Sequence, residues 1–127
     1  MAHRQHNPGF LALVERKKSQ VKHIDIEEYK RLAAAGEAGT LIDIREESEW
    51  AAGHASGAIY LGKGIIERDI ETIAPDKSKR LVLYCGGGYR SVLSADALQE
   101  MGYTDVISLD GGWRAWQEAG MPVEKGG

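Results

Sequence analysis

Thiols are almost absent from this sequence: Cys85 is its only cysteine. No internal disulfide can form, so a packed core must hold the fold, and an unprotected thiol fits a reducing compartment, the cytoplasm. Long apolar runs are missing as well. Nothing approaches the ~20 apolar residues of a membrane span, and Met1 to Pro8 lacks the apolar centre of a secretory signal, so a soluble chain without a membrane partner is expected. Neither sign of charge dominates, with 16 Lys and Arg against 19 Asp and Glu. The basic residues are scattered, which gives no field for a polyanion and argues against a nucleic-acid partner. Metal-ligand spacings are also lacking. His3 and His6 sit on a polar terminus without companion ligands and are expected to be solvated, so no metal and no cofactor is expected.

What the chain does contain is a 43% hydrophobic fraction spread over 127 residues, enough for one sizeable core. Asn7 as cap and Pro8 at the first helical position open a helix to about Ser19, on which Phe10, Leu13 and Val14 share a face. It is expected to pack on the outside, so that residues 1–20 form a tail and helix and residues 21–127 a single domain. Its basic end, Arg16-Lys17-Lys18, reads as a solvated last turn complementing the helix dipole. Val21 to Ile24 is a short strand. Asp25 and Glu28 are spaced as a capping box for a helix to about Ala35, with Ile24 and Tyr29 as its staple. Thr40 to Ile44 is apolar almost throughout, as buried parallel strands are.

A helix over about Glu47 to Ala52 stops at Gly53, and Ala58 to Leu61 is a third strand. Ile66, Ile70 and Ile73 mark a helix between Gly64 and Ala74. After a strand over Arg80 to Tyr84, Ala95, Leu98 and Met101 line a helix closed by Gly102. Val106 to Leu109 is the last strand, and Trp113, Trp116 and Ala119 share one side of a final helix, both tryptophans being expected as core anchors. Strands alternate with helices. That order predicts an α/β fold in three layers, a central parallel sheet of about five strands with helices on both faces.

The organising stretch is Leu81 to Val92: four apolar residues, Cys85, three glycines, Tyr89, Arg90 and the start of a helix. Strand, tight turn and helix put the thiol at the carboxyl edge of a parallel sheet, where such folds place ligands. Cysteine reacts as thiolate, and backbone N–H groups, a helix N-terminus or a nearby Arg favour that form. Gly86, Gly87 and Gly88 lack a Cβ that would block positive φ, so consecutive amides are free to curl around one anionic atom. Arg90 would add a permanent charge at the rim. A buried strand-end cysteine beside a flexible loop is the plainer reading of a lone thiol; the glycine run with Cys-x4-Arg-Ser turns the balance towards nucleophilic sulfur. A nucleotide P-loop does not fit, because no Lys-Ser or Lys-Thr follows the glycines.

Three signatures in this order resemble the single-domain rhodaneses, the thiosulfate or persulfide sulfurtransferases. The first is Asp43-Ile44-Arg45 followed by Glu49-Trp50-Ala51-Ala52-Gly53-His54 and Gly57-Ala58. The second is the Cys85 to Ser91 loop, and the third runs from Leu109-Asp110-Gly111-Gly112-Trp113 to Pro122-Val123. The resemblance spans about Val21 to Val123. It departs from the family pattern at Ala55, at Gly62-Lys63-Gly64, and in a loop without the extra basic residues of some thiosulfate-using members.

The resemblance implies a rhodanese-like fold and a sulfane sulfur carried as a persulfide on Cys85. A small-molecule donor would load it, a thiol, cyanide or protein acceptor would remove it, and Gly86, Gly87, Gly88, Tyr89, Arg90 and Ser91 would bind the substrate. Asp43, Arg45, Glu49 and His54 are weighed as structural rather than catalytic, with Glu49 expected to pair with Arg45 four positions earlier. Two alternatives remain open: a sulfur carrier or docking module without turnover, and a cysteine phosphatase or arsenate reductase. The latter use a longer Cys-x5-Arg turn.

Overall fold

The structure is a computed structural model that describes residues 6–126; His3 and the rest of the first five residues lie outside the described residues. α1 (Pro8–Lys18) leads into β1 (Lys22–Ile24), α2 (Ile26–Ala34), β2 (Thr40–Asp43), α3 (Glu47–Ala52), β3 (His54–Ala55) and β4 (Ile59–Tyr60). There follow α4 (Ile66–Ile73), β5 (Leu81–Tyr84), α5 (Arg90–Glu100), β6 (Val106–Leu109), α6 (Gly112–Glu118) and β7 (Val123–Glu124). Five strands form one sheet in the order β1-β6-β5-β2-β4, every neighbouring pair parallel. No helix of the described residues is long and apolar enough to cross a membrane.

The two-residue period of the strands sorts their side chains into two cores. Ile42, Leu81 and Leu83 face Val92, Ala95 and Leu98 of α5, together with Ile66 and Ile70 of α4 and Val14 of α1. Leu41, Val82 and Tyr84 point the other way, onto Tyr29 of α2 and Trp116 of α6. Each such aliphatic side chain contributes roughly 1.5–3 kcal/mol by leaving water, so the two layers hold the sheet without covalent help.

Connectivity then places the site. After β2 the chain moves outward to β4 at one edge; after β5 it moves to β6 on the opposite side. The neighbouring carboxyl ends of β2 and β5 therefore flank a switch in strand order, the place where open α/β sheets form a crevice. Asp43 ends β2, and Cys85 follows β5 directly.

Several local expectations change in the fold. Asn7 occupies the cap position of α1, but its side chain makes no capping bond. The Asp25 carboxylate accepts the Glu28 N–H at 2.9 Å, whereas Glu28 turns its own carboxylate to Arg31, so only half of the box is made. Ile73, the last residue of α4, is exposed while Ile66 and Ile70 are buried. The basic end of α1 is not merely solvated, since Lys17 lies 3.3 Å from Asp96 of α5. A second, two-stranded antiparallel sheet, β3 with β7, joins His54 to Glu124 and Ala55 to Val123. Two-residue strands carry no sequence periodicity, so nothing announced them.

Candidate active site

The loop between β5 and α5 is fixed from outside by α6. The N–H groups of Trp113 and Arg114 donate to the carbonyls of Cys85 (2.7 Å) and Gly86 (3.1 Å). In a trans peptide the carbonyl and the next N–H point in opposite directions, so the Gly86 and Gly87 amides face away from α6. Neither has a hydrogen-bond partner among the described residues. This approach requires Gly112, where a Cβ would lie 2.2 Å from the Cys85 carbonyl oxygen.

Of the three loop glycines only Gly88 adopts positive φ, at 95°, and a Cβ there would meet the Gly111 nitrogen at 2.8 Å. Gly86 and Gly87 do not use the left-handed region. Their contribution is an unobstructed backbone.

Cys85 is only 1% exposed and borders the apolar core beneath α5, yet its sulfur has polar company. The Gly88 N–H donates to Sγ at 3.2 Å, and the Ser91 hydroxyl lies 3.7 Å from Sγ. Ser91 is held in turn by Ser108 of β6, 2.7 Å away. Ser108 was missed in the sequence reading, although a hydroxyl inside the apolar run Val106-Ile107-Ser108-Leu109 is an unusual thing to bury without a purpose. Tyr89 stands at the N-cap of α5, exposed, with its ring 4.6 Å from that of His6 and 6.2 Å from that of Phe10. Arg90 begins α5. Its Nη2 would be 3.9 Å from a Cβ on Gly86, and it sits 3.8 Å from Glu49, so the rim cation already faces a carboxylate.

The end of β2 is built differently. The expected Glu49–Arg45 pair is replaced by Asp43 with Arg45, both buried: Asp43 accepts from the Arg45 backbone N–H, Nε and Nη2 at 2.8–3.1 Å. Arg45 also donates to the Gly53 carbonyl at 2.6 Å. Burial opposes its charge, but the bonds and attraction to Asp43 win and hold the guanidinium above its ordinary pKa. Tyr84 donates its hydroxyl to Asp43 at 2.6 Å and accepts the Ala55 N–H. Burial, reinforced by Asp43, pushes that phenol far up, so it stays protonated as a donor. Trp113, expected as a core anchor, packs against the edge of the second core and is half-buried, with its ring 4.6 Å from the Arg45 guanidinium. A strand-end Asp-x-Arg pair escapes helical spacing rules, which is why Glu49 looked like the partner.

Glu49 is occupied elsewhere. Its Oε1 accepts the Glu46 N–H at 2.9 Å, anchoring the start of α3, and the same oxygen faces Arg90. His54 is buried and stacks on Trp50 at 3.4 Å, while its Nδ1 meets the Trp50 carbonyl at 2.9 Å. These contacts give His54 a place in the scaffold, apart from Gly88 and Ser91, which meet the sulfur.

Comparison with known proteins agrees with this geometry. The chain is 34% identical over 101 residues to the thiosulfate sulfurtransferase GlpE of Shewanella oneidensis, a match covering 80% of this chain and 97% of that protein. Among solved structures, a Rhodopseudomonas palustris protein of unknown function, described as a possible tyrosine phosphatase, superposes with a TM-score of 0.81 at 28% identity. That likeness covers 98% of this chain, α1 therefore included, and all of the other. The polysulfide-sulfur transferase homodimer of Wolinella succinogenes gives 0.77 at 25% identity, over 92% of this chain and 88% of that one. The family model of the rhodanese-like domain matches residues 25–119, and with the parallel sheet, the cysteine loop and these relatives on record the chain belongs to the rhodanese-like family.

Proposed function

We propose that this protein is a sulfurtransferase in which Cys85 takes a sulfane sulfur from thiosulfate or a persulfide and passes it to a thiol or to cyanide. The observation that carries the reading is the Gly88 N–H at 3.2 Å from Sγ, beside two loop amides without partners among the described residues. Donors fixed around a buried sulfur favour its thiolate and would hold a second sulfur attached to it. The names of the sulfur-transferring relatives support the same reaction class.

In this reading the Cys85 thiolate attacks the outer sulfur of the donor. A new S–S bond forms, the donor's S–S bond breaks, and its electron pair leaves with sulfite when thiosulfate is the donor. The acceptor then attacks the outer sulfur, and the pair of the broken bond returns to Sγ. No net oxidation occurs, so the reaction calls for no cofactor. Gly86, Gly87 and Gly88 supply the backbone cup, Ser91 supports the thiolate, and Arg90 with Tyr89 forms the rim. Residues 21–127 make up the transferase domain, residues 1–20 an appended tail and helix, and the reducing cytoplasm suits the thiol.

A phosphatase reading is favoured only by the description of the R. palustris neighbour. Four residues separate Cys85 from Arg90, and that short turn suits one sulfur atom better than a tetrahedral oxyanion. Initial rates of thiocyanate formation from thiosulfate and cyanide test the choice. Parallel double-reciprocal lines are expected, with no turnover in a Cys85→Ser variant of unchanged circular dichroism. Turnover in that variant, or phosphate release from a phenyl phosphate ester without sulfur transfer, would overturn the proposal.

A further inference from the structure

The face of β6 that looks onto α5 carries one misfit. Ser108 lies in register with Leu83 of β5, and its companions on that side of the sheet, Ile42, Leu83 and Val106, are apolar core residues. An alanine there would fill nearly the same volume without a polar atom to satisfy. Among the described residues the Ser108 hydroxyl has a single partner, Ser91 Oγ at 2.7 Å. The Ser91 hydroxyl, in the first turn of α5, has only one other, Cys85 Sγ at 3.7 Å. Three polar atoms from β6, α5 and the end of β5 thus stand in a row, and none of the three residues is more than 1% exposed.

The row has a preferred direction. Each hydroxyl has one hydrogen to give. With Cys85 as thiolate, Ser108 donates to Ser91, Ser91 donates to the sulfur, and both hydrogens are used. With Cys85 as thiol there are three hydrogens for two contacts, so one is left buried and unmatched. The ionised state is the one the row satisfies. Ser108 strengthens it further, because an accepted hydrogen bond polarises the Ser91 hydroxyl and reinforces the bond that hydroxyl gives. It also holds Ser91 against turning back to a carbonyl of its own helix, the common recourse of a helical serine.

The charged groups at this edge of the sheet come in pairs: Arg90 of α5 with Glu49 of α3, Asp43 with Arg45 at the end of β2, and Asp110 after β6 with His23 of β1. Glu15 and Lys18 of α1, of opposite sign, lie outside Gly87 and Gly88. On α6, Arg114 holds the Gly86 carbonyl through its N–H, while α4 turns Ile66 and Ile70 to this core. None of these groups bonds to Ser108, so a change there reads the hydroxyl row.

We infer that Ser108 is a positioning residue for the sulfur chemistry: acting through Ser91, it aims a hydrogen bond at Cys85 and stabilises the thiolate. The inference rests on the reading of Cys85 as the sulfur carrier and names the residue that directs its hydroxyl partner. Both halves of the transfer use that bond. The thiolate is the attacking atom while the electron pair of the donor's S–S bond departs with the donor, and it is the leaving group when the acceptor takes the outer sulfur and the pair returns to Sγ.

The test titrates the ultraviolet absorbance of the Cys85 thiolate against pH, as the difference from Cys85→Ser, and needs no sulfur donor. Ser91→Ala should move the midpoint up by about one pH unit and Ser108→Ala by about half a unit to one unit. The double variant should go no higher than Ser91→Ala alone, because Ser108 acts only through Ser91. Ser94, fully buried on the same helix with no hydrogen-bond partner among the described residues, is the control, and Ser94→Ala should leave the midpoint in place. Turnover of thiosulfate with cyanide should follow: in Ser108→Ala, kcat/KM falls about three- to tenfold below the midpoint and approaches the parent value above it. A Ser108→Ala midpoint equal to the parent's, an equal shift in Ser94→Ala, or a double variant showing the sum of the single shifts would overturn the inference and leave the transferase standing. Absence of turnover in the unaltered protein would remove the transferase reading, and the part of Ser108 in transfer with it.

Discussion

β2 and β5 end side by side, Asp43 in register with Tyr84, yet the two ends treat polarity in opposite ways. At the end of β2, the Asp43 carboxylate, the Arg45 guanidinium and the Tyr84 hydroxyl satisfy one another with the Gly53 carbonyl and the Ala55 amide. At the end of β5, one sulfur receives one amide, and the next two amides have no partner among the described residues. A saturated network is scaffold: nothing is left over to bind an incoming group. An array with donors to spare has capacity for one more atom, and that is where the chemistry is expected.

The sharpest way to break this contrast is to cut both ends. Asp43→Ala leaves the Arg45 charge buried without its carboxylate and should cost about 3–5 kcal/mol in denaturant unfolding. Cys85→Ser, by contrast, should shift the unfolding midpoint little while ending sulfur uptake. An Asp43→Ala protein as stable as the parent would show that the β2 network is not scaffold. A smaller effect separates the glycines. Gly88→Ala forces positive φ and a 2.8 Å clash with the Gly111 backbone, so a loss of about 1–3 kcal/mol is expected. Gly86→Ala meets nothing nearer than Arg90 at 3.9 Å and should stay within about 1 kcal/mol.

The smallest effect concerns the rim. Glu49 stands 3.8 Å from Arg90 on a partly exposed pair, so its charge offsets the cation offered to anionic donors. Glu49→Gln keeps an oxygen for the Glu46 N–H and removes the charge. The specificity constant for thiosulfate should rise about two- to fivefold, and the gain should shrink with added salt. An equal rise with an uncharged persulfide donor would mean that Glu49 acts on the loop's shape rather than its field.

Much of this arrangement was legible in the sequence. Apolar strands, glycine stops and the strand–cysteine–glycine–helix order gave the parallel sheet and put Cys85 at its carboxyl edge, because those signals are local. What could not be read depends on segments meeting in space. Which glycine turns left-handed is settled by Gly111 pressing on Gly88, and the loop carbonyls are taken up by α6, a contact between distant stretches. Arg45 found Asp43 because both lie at the end of a strand, whereas the sequence suggested a helical spacing to Glu49. The β3–β7 pair was too short to show any period.

The central claim is that the Cys85 loop holds one extra sulfur atom and gives it up again. Intact-protein mass spectrometry after incubation with thiosulfate, then after cyanide, reads this directly. The account predicts a gain of one sulfur atom per chain, its removal by cyanide, and neither change in Cys85→Ser. An unaltered mass after thiosulfate and after a low-molecular-weight persulfide, in a folded protein whose thiol is reduced, would contradict it.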